Sequence, residues 1–150
     1  MTEALLRRLD ELQTAEKARN AIHDYCLALD TGDFALLARI FSADVVLGLP
    51  GGDSIEGIDA VLDFFRTATA QPATHRKHFT TNVTIRQCDG NDVSGECYFL
   101  SLLGDPGNLV LAWGRFAFTA RRQDEGVRIT RLDLIVEQAP APVSFLASGS

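Results

Sequence analysis

Leu5, Leu6, Leu9 and Leu12 fall at helical spacing, and Ala15, Ala18, Ile22, Tyr25, Cys26 and Leu29 continue the apolar stripe. The spacing predicts helix over residues 3–30. Thr14 followed by Glu16 reads as a hydroxyl cap and an acid in a first turn, so two helices with a break near Gln13 are expected. Gly32 supplies a left-handed stop. Asp33 caps a short helix from Phe34 to Ile40, a strand follows over Val45 to Leu49, and Pro50-Gly51-Gly52-Asp53 is a turn by composition. Ile58, Val61, Leu62 and Phe65 give an apolar face to a helix from Ile58 to about Ala70, closed by Gln71-Pro72.

Beyond that point the period changes to two. Strands are expected over about His75 to Cys88, Val93 to Leu103, Leu109 to Arg121 and Val127 to Ala139. Short turns rich in Gly, Asp and Asn join them, which makes the strands consecutive and antiparallel. Helices first and a long meander afterwards is an α+β plan. Gly95 and Gly114 lie inside strands, where glycine marks a bend or bulge. Long strands twist and coil, so the expected sheet is strongly bent, with the helices closing a pocket on its concave side. Phe145 and Leu146 could dock the tail that begins at Pro140.

The first long strand divides into two rows. Phe79, Thr81, Val83 and Ile85 share one face, and His78, Thr80, Asn82 and Thr84 the other. The polar row is either a solvent face, the default for an antiparallel sheet, or the lining of a cavity with His78 as its base.

Bulk properties narrow the classes. The 150 residues suit one domain with a core of its own, and the net charge of -6 argues against a nucleic-acid partner. Three cysteines without a C-x-x-C spacing imply neither a disulfide framework nor a zinc knuckle, and fit a reducing, cytoplasmic setting. The charged N-terminal residues do not read as a signal peptide, and the sequence has no apolar run of membrane-spanning length. His75 and His78 point to opposite faces of a strand, so shared metal ligation is not expected. Nucleophile-elbow, phosphate-loop and dinucleotide-binding motifs are missing from the sequence, Cys97 has no evident activating partner, and no cofactor is implied.

Asp30 sits at the C-terminal end of its helix, where the carbonyl dipoles disfavour a negative charge. It either forms a local Asx-type turn with Thr31 and Gly32 or has a functional role. Tyr25 belongs to the apolar stripe. Five residues before Asp30, it lies roughly 140° away around a regular helix, so the two share a face only if the last turn tightens or unwinds.

The run Tyr25-Cys26-Leu27-Ala28-Leu29-Asp30-Thr31-Gly32-Asp33-Phe34 resembles the opening of SnoaL-like domains, in the nuclear transport factor two-like superfamily. Phe41-Ser42-Ala43-Asp44-Val45, His78-Phe79-Thr80-Thr81-Asn82, Trp113-Gly114-Arg115-Phe116 and Val127-Arg128-Ile129 extend the resemblance over about Glu16 to Glu137. It implies a single cone-shaped domain over residues 1–150, with the tail after about 140 loosely docked. The superfamily includes scytalone dehydratase, bile acid dehydratase, hexachlorocyclohexane dehydrochlorinase and the small subunits of ring-hydroxylating dioxygenases. In the dehydratase and dehydrochlorinase members, an aspartate at this helix end pairs with a histidine on this strand. The resemblance thus implies catalytic roles for Asp30 and His78, with Tyr25 placed like the tyrosine of the bile acid enzyme. Scytalone dehydratase differs: its tyrosine directly precedes the aspartate, where Leu29 stands here, and it uses a second histidine on the next strand, which Val93 to Leu103 lacks.

An imidazole oriented by a carboxylate, beside a phenol donor, suits proton abstraction next to a carbonyl or leaving group, followed by elimination or isomerisation. Trp113, Phe99, Asn82 and Arg131 are the candidate pocket residues, although the default for Arg131, with Arg115 and Asp133, is a solvated face. The expected ligand is a small hydrophobic ring compound such as a polyketide, steroid or aromatic metabolite. Two non-catalytic alternatives are a dioxygenase small subunit and a binding protein that uses the same pocket. A convex sheet face covered by further copies would make the chain a homodimer or homotrimer.

Overall fold

The computed structural model describes residues 2–70, 75–124 and 126–143. Helix α1 (Glu3–Thr31) is continuous. The expected break near Gln13 does not occur. The Thr14 hydroxyl donates to the Asp10 carbonyl at 2.8 Å and accepts from Arg122, so the side chain is satisfied inside the helix and does not cap a new one. What changes at Thr14 is burial. Leu5, Leu6, Leu9 and Leu12 are exposed, whereas Thr14, Ala15, Ala18, Ile22, Tyr25 and Leu29 are buried. The first turns of the helix are exposed; Arg122 pairs with Asp10 and Cys88 donates to the Glu11 carbonyl, and burial begins at Thr14.

Gly32 ends α1 at φ 69°, donating its N–H to the Ala28 carbonyl. Asp33 caps α2 (Phe34–Ile40) by accepting the Leu36 N–H at 2.9 Å. Strand β1 (Phe41–Gly48) follows at once, starting earlier than expected because Phe41 already pairs with Ile129. A short edge strand, β2 (Ser54–Glu56), returns along it, a feature absent from the sequence reading. Helix α3 (Ile58–Ala68) buries Val61, Leu62 and Phe65. Its expected closure at Gln71-Pro72 lies outside the described residues, as do Phe145 and Leu146.

The meander is present as β3 (His75–Asp89), β4 (Asp92–Asp105), β5 (Asn108–Gln123) and β6 (Gly126–Val143). The six strands run in the order β2-β1-β6-β5-β4-β3. The sheet is not wholly antiparallel, since β1 lies parallel to β6. β6 continues past the expected end at Ala139, with Ala141 and Pro142 opposite Leu111 and Val110. Prolines are tolerated there because this end of β6 is paired with β5 alone. The sheet is strongly curved and unclosed, with the helices over its concave side.

Register shifts accompany the curvature, among them those at Gly114 and Asn82. At Gly114, where the β5–β6 register shifts, a Cβ would lie 2.0 Å from the Ile135 carbonyl oxygen, so the neighbouring backbone occupies the space of a side chain. In β3 the register shifts between Thr81 and Thr84, and Asn82 adopts φ 55°. The bulge reverses the phase of the strand. Before it His78 and Thr80 are partly buried and Phe79 is exposed; after it Val83 and Ile85 are partly buried. The expectation that Phe79, Thr81, Val83 and Ile85 share a face therefore fails: Phe79 and Thr81 lie on the exposed side, Val83 and Ile85 on the other.

Candidate active site

The end of α1 lies against β3, which brings Asp30 to His78. Both carboxylate oxygens accept from the same residue: Oδ2 takes the His78 backbone N–H at 2.9 Å, and Oδ1 lies 2.6 Å from Nδ1 of the ring. The side chains are 8% and 16% exposed, respectively. These two bonds offset the unfavourable helix-end position of Asp30, and its carboxylate makes this long-range contact in place of an Asx turn. A carboxylate can only accept, so a neutral His78 carries its proton on Nδ1 and keeps Nε2 as a free acceptor.

His78 lines a cavity of about 430 Å³ whose wall does not include Asp30, and the Nδ1 side of its ring is taken up by Asp30. Leu29, Phe64, Phe65, Phe99, Phe116 and Leu134 make much of that wall. The rings are closely packed, with Phe99 and Phe116 stacked at 4.5 Å. Tyr25 lines the same cavity and meets Phe41, Phe65 and Phe116 edge-on at 5.5–6.0 Å. α1 does not unwind to bring Tyr25 beside Asp30. Tyr25 reaches the cavity wall directly, whereas Asp30 reaches it through His78, which lines the same cavity. Burial, then the neighbouring Cys26, Cys97 and Asp30, push the Tyr25 phenol well above its ordinary value of 10.0. It is a protonated donor at any physiological pH.

Burial also raises Cys26 from 9.0 to about 12 and Cys97 to about 11. In the unfolded chain these thiols ionise first, so folding stability is fully present below pH 9 and declines as pH rises towards the folded values. Melting temperature is expected to fall between pH 9 and 11, and Cys26→Ala with Cys97→Ala to flatten that decline relative to neutral pH. A pH-independent melting temperature in the native chain over that range would contradict this.

Of the other expected pocket residues, Phe99 lies in the cavity wall and three do not. Trp113 is 44% exposed and contributes with Phe79, Tyr98 and Leu100 to a groove of about 600 Å³ on the outer face of the sheet, away from His78. Its neighbour Gly114 is the inward residue of the pair. Asn82 is the exposed bulge residue, so the polar row ends at Thr80 on the inner face. Arg131 is turned outward and pairs with Asp133 at 2.9 Å. Arg76, Thr69 and Ser101 also line the cavity and were missed. Arg76 had a legible signal, because it shares the parity of His78 in the strand. Among the described residues no group of three or more His, Cys, Asp or Glu side chains could hold a metal ion, and no helix is long and apolar enough to cross a membrane.

A curved α+β sheet around an apolar cavity, with helices over its concave side, defines the nuclear transport factor two-like class of cone. The SnoaL-like domain model matches residues 10–133, and the chain belongs to that family. No curated protein matches it. Hexachlorocyclohexane dehydrochlorinase LinA-type3 from Novosphingobium barchaimii is similar in structure, with a TM-score of 0.79, 18% identity, and 95% of this chain and 99% of that chain covered. A protein provisionally named a scytalone dehydratase, from Novosphingobium aromaticivorans, gives 0.76 at 17% identity, covering 93% and 92%. One provisionally named an aromatic ring hydroxylase, from the same organism, gives 0.77 at 24%, covering 88% and 94%. At these identities the likeness concerns the fold.

Proposed function

We propose that this chain is a cofactor-independent lyase or isomerase of the dehydratase type, acting on a small hydrophobic ring compound. The observation that carries the reading is the His78–Asp30 pair at the wall of an apolar cavity. Nε2 of His78 removes a proton from a carbon next to a carbonyl or leaving group. The C–H electron pair becomes a double bond, and Asp30 stabilises the imidazolium through Nδ1. The Tyr25 hydroxyl donates to the oxygen that gains charge or departs. In elimination the leaving group departs with the electron pair of its bond to carbon; in isomerisation the proton returns from His78 to a different carbon. The apolar wall strengthens each of these interactions by excluding water.

The test is a panel of hydrophobic cyclic ketones, alcohols and halides in deuterated water, read by NMR for elimination or for deuterium entering the acidic C–H position. The native chain is expected to catalyse at least one such reaction, and His78→Ala to abolish it. Exchange or elimination that survives in His78→Ala rejects the mechanism. Tyr25→Phe keeps the ring contacts and removes the donor, so kcat is expected to fall about 10²- to 10³-fold, by analogy with loss of one oxyanion donor, without a comparable loss of stability. An unchanged kcat would remove Tyr25 from the chemistry.

The same reading includes a homodimer or homotrimer. Phe79, Tyr98 and Trp113 leave about half of their surface exposed on the outer sheet face, an arrangement that supports burial against further copies. Light scattering is expected to give two or three chains per particle, and Trp113→Lys to shift the population to monomer. Only monomer at micromolar concentration contradicts this. The outer face equally suits a dioxygenase small subunit, and co-purification with a large subunit would favour that second reading.

A further inference from the structure

Arg76 carries an inference that rests on the proposed proton abstraction and narrows its substrate. It stands two residues before His78 in β3, opposite Leu103 where His78 is opposite Ser101, and both side chains line the cavity. Extended-strand geometry separates the two backbone positions by about 7 Å along one wall.

A guanidinium stays charged at any accessible pH and has five N–H donors in a planar fork. The contact seen for this one is long: Nη2 donates to the Thr69 carbonyl, at the end of α3, at 3.5 Å. Among the described residues no carboxylate forms an ion pair with it. The surrounding wall is apolar apart from the hydroxyls of Tyr25, Thr69 and Ser101 and the His78 ring. Arg76 is half-buried, so its guanidinium is within reach of a counter-charge brought in by a ligand. Among the described residues, the cavity therefore combines a large apolar surface with a cation that makes one long hydrogen bond.

We propose that Arg76 is the anion-binding group of the site. Its ligand is a hydrophobic ring compound carrying a carboxylate or comparable anionic oxygen group, about 7 Å from the carbon that gives its proton to His78. The fork binds the two oxygens side by side, and the ring lies along the wall between Arg76 and Phe99 with its acidic C–H towards Nε2. Arg76 then sets which ring compounds enter and in which orientation, while His78 performs the transfer.

The probes are 2-naphthoate and 2-naphthamide, which share ring and size and differ in charge. Calorimetric titration of the whole chain is expected to show naphthoate binding about tenfold tighter or more, the advantage of a charged hydrogen-bonded pair over a neutral one, with the gap narrowing at high salt. Arg76→Gln is expected to remove most of that preference by weakening naphthoate while leaving naphthamide within about twofold. Equal affinities in the native chain, no naphthoate binding at millimolar concentration, or a preference unchanged in Arg76→Gln each overturns the inference. The native comparison decides even if the variant does not fold. His78→Ala is expected to keep the preference. Loss of the anion preference with activity still dependent on His78 therefore rejects the anion site alone. A preference for naphthoate with activity independent of His78 rejects the enzymatic reading alone.

Discussion

Replacing His78 by alanine is expected to lower turnover by about three orders of magnitude or more, the scale of a positioned general base. The chain should still fold, because Asp30 keeps the His78 backbone N–H at 2.9 Å and no aromatic contact of the cavity wall is lost. A modest fall in melting temperature is expected, since the buried Asp30 carboxylate loses one of its two partners. Asp30→Asn makes a sharper test. Both Asp30 oxygens accept from His78, whereas an asparagine offers one acceptor and one donor. Either its NH2 faces the backbone N–H, or the ring moves its proton to Nε2 so that Nδ1 can accept. The second outcome removes the base. Turnover is expected to fall about 10²- to 10⁴-fold, as when the orienting aspartate of a serine-protease triad is changed to asparagine. KM should hardly move, because Asp30 is not part of the cavity wall. A raised KM with unchanged kcat would assign the pair to binding and not to chemistry.

Gly114→Ala is expected to be among the most destabilising single changes in the chain, by about 3 kcal/mol or more. The added methyl would lie 2.0 Å from the Ile135 carbonyl oxygen and 3.0 Å from the Glu137 nitrogen, both backbone atoms fixed by the sheet. A flexible side chain could move aside; these atoms move only if the β5–β6 bulge straightens. For a domain of this length the loss corresponds to a melting temperature lower by about 10 °C. Straightening would also shift Phe116 and Phe99, which flank the cavity, so ligand binding should weaken even at temperatures where the variant stays folded. A melting temperature within a degree or two of the native value would show that the bend does not depend on the missing side chain.

Much of this architecture was legible because local chemistry and tertiary packing agree. The Gly32 stop, the Asp33 cap and the order of the four long strands all follow from residues that have one good local solution. Gly95 and Gly114 were readable as bend points for the same reason. The errors arose where a distant partner decided. Thr14 looks like a helix start, but Arg122 and the Asp10 carbonyl satisfy it within α1. β2 is too short to carry a period and exists through its pairing with β1. In the site, Asp30 and Tyr25 were placed by resemblance, and residue spacing alone did not join Asp30 to His78. Asn82 was misplaced because strict alternation was carried through a bulge, and no composition signal marks that bulge. Trp113 and Arg131 failed for a related reason: size and charge suggest a role, while strand parity decides the face.

The proposed chemistry depends on one state of the ring, a neutral His78 whose proton sits on Nδ1 against Asp30 while Nε2 is bare towards the cavity. Long-range ¹H–¹⁵N correlation NMR on histidine-labelled protein reads that state without any substrate. The prediction is a pyrrole-type shift for Nδ1 and a pyridine-type shift for Nε2 in the neutral ring, with the pattern lost or reversed in Asp30→Asn. A native spectrum with the proton on Nε2 would contradict it, since that ring could not accept a proton from a ligand in the cavity.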